Sequence, residues 1–77
     1  KPAPDAYVAA ALAVGARPDE CVVVEDTQRG MRAGLAAGMR VVVVPSELTF
    51  DNDFTGASAR LASLDELDAR LLAGLAR

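Results

Sequence analysis

Cys21-Val22-Val23-Val24-Glu25-Asp26-Thr27 is a short, β-branched, continuously apolar run that stops abruptly at two adjacent carboxylates. A segment of this kind, Cys21 to Val24, fits a strand buried on both faces of a parallel sheet. Upstream, Pro2 and Pro4 mark an extended entry, and Pro4-Asp5 opens a helix that places Tyr7, Ala10, Ala11 and Val14 at i, i+3, i+4 and i+7. Gly15 can end that helix in a left-handed conformation, and Arg17-Pro18-Asp19-Glu20 reads as a polar turn.

Downstream, the period changes at Thr27 to that of a second helix, with Met31, Leu35 and several alanines on one side and Gly38 as its stop. Val41 to Val44 repeats the buried-strand signature. Helix, strand, helix, strand with short connections implies right-handed crossovers and an open α/β sheet. A looser segment runs from Pro45 to Ser58, and Arg60 to Ala62 suits a third short strand. Ser63-Leu64-Asp65-Glu66 is a capping-box pattern, and Leu64, Leu67, Leu71 and Leu75 form the apolar stripe of a last helix, read as core packing. Residues 1–77 are read as one domain. Two or three parallel strands leave exposed edges, so further strands are expected elsewhere.

Composition narrows the function. The 77 residues are 52% hydrophobic and 25% charged, as in an ordinary globular domain. A net charge of −3 and a pI near 4.7, with Lys and Arg scattered singly, give no electrostatic footprint for nucleic acid or an anionic membrane. Arg17, Asp19, Arg29, Arg32 and Arg40 interrupt every apolar stretch before it reaches the length of a membrane span. Cys21 is the only cysteine and no histidine is present to activate it, so it reads as a small core hydrophobe in a cytoplasmic protein.

In open α/β sheets ligands bind beyond the carboxyl ends of the strands, which is where Glu25-Asp26 falls. Two carboxylates there can supply hard oxygen ligands to Mg²⁺, which takes few protein carboxylates and completes its shell with water and substrate phosphate. The same pair equally suits a solvated turn in which Asp26 or Thr27 caps the next helix. Asp51-Asn52-Asp53 does not open a calcium loop: Gly56 fits the sixth position, but Ala62 stands where a bidentate Glu is required. Gly30, Gly34 and Gly38 do not form a dinucleotide fingerprint.

Taken together, Lys1-Pro2-Ala3-Pro4-Asp5, the strand ending Glu25-Asp26-Thr27, Gly30, Gly38 and Val41 to Pro45 resemble the haloacid dehalogenase superfamily. The likeness is to its phosphoglycolate phosphatase-like and β-phosphoglucomutase-like members. It implies the C-terminal part of a Rossmann-like parallel-sheet core, a three-layer α/β/α arrangement incomplete in this chain. By the same resemblance Lys1 is a catalytic and substrate-binding residue beside the nucleophile and the transferring phosphoryl group. A lysine ammonium there would stabilise charge on the phosphoryl oxygens. Asp26 and Glu25 are the implied ligands of Mg²⁺, with Thr27 a helix cap and Gly30 a small residue at a close approach. The substrate implied is a small phosphorylated metabolite, attacked through an aspartyl-phosphate intermediate.

The pattern departs from the family in lacking the Asp-x-Asp nucleophile motif after a hydrophobic strand, the Ser/Thr phosphate motif and the helical cap. This chain alone is therefore expected to be inactive and to need the N-terminal remainder of the same protein as its partner. A sugar-phosphate mutase, or a non-catalytic α/β regulatory or interaction module, remains compatible with the residues present.

Overall fold

The computed structural model describes residues 4–75. Its elements are α1 (Asp5–Ala13), β1 (Val22–Glu25), α2 (Gln28–Ala36), β2 (Arg40–Val43), β3 (Ala59–Arg60) and α3 (Ala69–Leu75). The strands form one parallel sheet in the order β1-β2-β3. Val23 lies opposite Val41 and Glu25 opposite Val43, so these residues share one face of the sheet. The fold class is the expected α/β arrangement, and β1 is an edge strand.

Both long helices stop where glycine permits a left-handed residue. Gly15 has φ 72° and Gly38 has φ 82°. At the first, Gly15 N–H bonds the Leu12 carbonyl and Ala16 N–H bonds that of Ala11; at the second, Gly38 bonds Leu35 and Met39 bonds Gly34. Each pair caps the orphan carbonyls of a helix end in a Schellman motif. At the other end of α2, the Thr27 hydroxyl accepts from Gly30 N–H at 3.0 Å, the expected N-cap.

The core lies between the sheet and α1 with α2. Ala11, Val23, Met31, Ala37, Met39, Val41, Val43 and Phe54 are buried there, with Tyr7, Val8 and Cys21 packed at its margin. Gly34 is the point of closest approach between α2 and the sheet, since a Cβ there would come within 2.8 Å of Val41 Cγ2. The opposite face is less covered. Leu67, Leu72 and Leu75 stand across an open depression from Val22 and Val24.

Several boundaries differ from the sequence expectation. β1 includes Glu25 and is not buried on both faces, because Val24 is 41% exposed. The β3 ladder begins at Ala59 and spans Ala59–Arg60, with Leu61 N–H still bonding the Val43 carbonyl. The capping box at Ser63 and Glu66 is present, yet it closes only a 3-10 turn over Leu64–Glu66. Leu67 then turns extended, at φ −81° and ψ 113°, and α3 starts only at Ala69. The leucine stripe is thereby broken, and Leu64 is exposed. Val14 is also exposed, because α1 ends before it, and Leu35 is only partly covered, because α2 turns Met31, Ala33 and Gly34 to the core. Among the described residues no helix is long and apolar enough to cross a membrane.

Candidate functional site

Glu25 and Asp26 sit at the carboxyl end of β1, lining a depression with Val24, Val44 and Leu64. β1 ends at Glu25, and Asp26 is the first residue beyond it. Glu25 shares the packed face with Val43 and is half-buried; Asp26 is exposed and makes no hydrogen bond or ion pair within residues 4–75.

The Glu25 carboxylate is held from three sides. Tyr7 Oη, on the first turn of α1, donates to Glu25 Oε2 at 2.5 Å. The Thr27 hydroxyl lies 3.5 Å from Glu25 Oε1, at the limit of a hydrogen bond. Gly30, on the first turn of α2, leaves the space that the carboxyl group fills: a Cβ added there would collide with Glu25 Oε1 and Cδ. The expected close approach at Gly30 is thus to this side chain, whereas Gly34 makes the approach to the sheet. Burial, then the hydrogen bond to Glu25 and that carboxylate's charge, push the Tyr7 phenol up to about 12, so Tyr7 remains a neutral donor.

A segment of the loose loop closes over the start of α2. Gln28 N–H donates to Asn52 Oδ1 at 3.1 Å, and Asp53 N–H donates to Gln28 Oε1 at 3.1 Å. Asn52 therefore satisfies one of the free N–H groups of the helix N-terminus. Asp53 in turn accepts from Thr55 N–H, and hydrogen bonds from Thr55 hold its carboxyl below the ordinary value. The Asp51-Asn52-Asp53 stretch is a structured clip rather than a free solvated loop.

Lys1 lies outside the described residues. Cys21 is half-buried at the core margin, its thiol donating to the Arg17 carbonyl at 3.4 Å. Among the described residues no group of three His, Cys, Asp or Glu side chains comes together. What the strand end offers is a pair of oxygen donors, one free and one fixed. Such a pair suits a hard cation that fills its remaining positions with water and substrate oxygen, and does not suit a closed site of nitrogen and sulfur ligands. Tyr7 was not legible as part of the site: its spacing marks only the apolar face of a helix. The available signal was a hydroxyl at a packed position, which requires a partner.

The model of the HAD-hydrolase-like family matches residues 1–67. Protein CbbY of Rhodobacter capsulatus is 44% identical over 64 residues, 83% of this chain and 28% of that protein. Hexitol phosphatase B of Escherichia coli K12 is 44% identical over 75 residues, 96% of this chain and 34% of that protein. Among solved structures, a CbbY variant from Rhodobacter sphaeroides in complex with xylulose-(1,5)bisphosphate superimposes with a TM-score of 0.88 at 37% identity. That match covers 94% of this chain and 32% of the other. The chain thus spans about a third of the length of the relatives it matches, and it belongs to the HAD-hydrolase-like family.

Proposed function

We propose that residues 1–77 are the C-terminal part of a single HAD-like core domain, in a cytoplasmic enzyme that hydrolyses a small phosphorylated metabolite with Mg²⁺. The observation that carries this reading is the free Asp26 carboxylate beside the fixed Glu25 at the carboxyl end of an edge strand. The substrate class follows from the relatives, one named a hexitol phosphatase and another solved with a pentulose bisphosphate: a phosphorylated sugar or sugar alcohol.

Asp26 is the first ligand of the cation and Glu25 supports it. Bound Mg²⁺ would neutralise phosphoryl charge and orient the ester for displacement. Lys1 contributes a second positive charge against the equatorial oxygens and keeps an anionic nucleophile close to an anionic substrate. The nucleophile is an aspartate outside these residues. Its carboxylate oxygen bonds to phosphorus as the ester P–O bond breaks and the leaving alcohol takes a proton. Water then cleaves the acyl phosphate.

The test uses the full-length protein. Phosphate release from hexitol and pentulose phosphates should require Mg²⁺. Asp26→Asn should weaken binding of Mn²⁺, used as a paramagnetic stand-in, by at least about tenfold. Unchanged Mn²⁺ affinity in Asp26→Asn would remove the metal assignment. An isomerised sugar phosphate in place of inorganic phosphate would make the enzyme a mutase.

A further inference from the structure

Tyr7 is the one described side chain outside the strand end that reaches the acidic pair by a hydrogen bond. Its ring packs against the core at its margin, and its hydroxyl bridges from α1 to Glu25, separated from it by 18 positions in sequence. A side chain whose only task was to fill that margin would not need a hydroxyl. Leucine or phenylalanine would fill it without a buried hydroxyl to satisfy.

The surroundings of Glu25 point the same way. Gly30 leaves room for the carboxylate and makes no hydrogen bond to it, and Thr27 stands at 3.5 Å while its hydroxyl accepts from Gly30 N–H. Tyr7 is therefore the strong contact that fixes which way the carboxylate faces. A carboxylate with one oxygen tied by a hydrogen bond loses less freedom when it joins a cation site than one free to rotate. The bond also links two stretches of chain that carry site residues, since α1 follows Lys1 directly in sequence.

We propose that Tyr7 is a positioning residue for the metal site: its hydroxyl holds the Glu25 carboxylate in the orientation from which it supports a cation bound at Asp26. This rests on the metal reading of Asp26 and Glu25 given above. Tyr7 touches neither metal nor substrate and acts only through Glu25.

The experiment measures Mn²⁺ affinity of the full-length protein by electron paramagnetic resonance, without substrate, for Tyr7→Phe, Glu25→Gln, their double variant and Asp26→Asn. Phenylalanine keeps the ring and removes only the hydroxyl. Tyr7→Phe should bind Mn²⁺ about tenfold more weakly, as is usual for loss of an outer-shell partner. The double variant should be no weaker than Glu25→Gln alone, because the hydroxyl has nothing further to act through. Wild-type affinity in Tyr7→Phe alongside lost affinity in Asp26→Asn overturns the role of Tyr7 and leaves the metal site standing. Wild-type affinity in both overturns the metal site itself, and Tyr7 with it. An additive loss in the double variant also overturns the proposal, since Tyr7 would then act by another route. Should Tyr7→Phe fail to fold, Glu25→Asp serves instead: it keeps the charge but withdraws the carboxylate from the phenol. The same loss is expected, and wild-type affinity there overturns the proposal.

Discussion

The two faces of the sheet are closed to different degrees, and the two carboxylates at the end of β1 differ as well: Glu25 is fixed on the closed face and Asp26 lies exposed just past the strand. On the α1 and α2 face, Val23, Val41 and Val43 are buried beneath Met31 and Ala11. On the other, Val24 is 41% exposed and Leu67, Leu72 and Leu75 stand off across a depression. Glu25 belongs to the packed face, where a phenol and a missing Cβ hold it; Asp26 comes just after the strand, exposed and with no partner among the described residues. Packing and availability are thus set residue by residue: the carboxylate on the closed face has a fixed orientation, and the one past the strand end is exposed. The free edge of β1 fits the same account, because an unpaired parallel edge strand is a place for another strand.

The contrast is tested most severely by changing one side chain on each face. Met31 is 1% exposed, so Met31→Ala should cost about 3 kcal/mol, within the range for large-to-small core changes, in urea unfolding of the full-length protein. Val24→Thr is nearly isosteric and tests the open face. If the remainder of the protein covers Val24, a buried hydroxyl without a partner should cost about 2 kcal/mol. A change below about 0.5 kcal/mol would instead mark a surface position, and the uncovered face would then be a lasting feature of the protein.

Gly30→Ala sharpens the comparison at the site. A Cβ at this position meets the far end of the Glu25 side chain rather than backbone, so the side chain swings away at little cost to the fold. Alanine is also the better helix former, by about 1 kcal/mol. Loss of the Tyr7–Glu25 hydrogen bond offsets that gain, so stability should stay within about 1 kcal/mol while Mn²⁺ affinity falls about tenfold, because Glu25 leaves its position. Equal affinity in Gly30→Ala would show that the fixed orientation of Glu25 is irrelevant to the site.

How much of this was legible beforehand follows from the range of each interaction. Gly15, Gly38 and Thr27 act within a helix end, so sequence spacing revealed their roles, and the alternation of valine runs with helices revealed the parallel sheet. The acidic pair was legible because a strand end is visible as the end of a valine run. That β1 continues through Glu25, one residue past the apolar run, is something hydrophobicity does not mark. The last helix failed for a similar reason. The capping box is local and formed, yet the turn it opens ends at Leu67, and neither leucine spacing nor propensity records that break. Tyr7 and the Gln28–Asn52 clip join residues 18 and 24 positions apart, and partners at that distance are set by topology rather than by any local pattern.

The smallest expected effect lies at high pH and concerns the phenol that joins the two regions. Tyr7 should titrate near 12 in the folded protein, against an ordinary value of 10.0, with burial the first cause and the Glu25 carboxylate the second. Because the folded state favours the neutral phenol, its contribution to stability is complete below pH 10 and is lost as pH rises toward 12. Tyrosine Cζ resonances followed by NMR, with Tyr7 assigned by its loss in Tyr7→Phe, measure this directly. Glu25→Gln should lower the midpoint only part of the way to 10, since the desolvation remains when the charge is removed. Tyr7→Phe should flatten the alkaline limb of the stability profile, because no phenol is left to ionise. A Tyr7 midpoint near 10 in the wild-type protein would mean that the phenol is neither buried nor engaged, and the link between the packed face and the acidic pair would be lost.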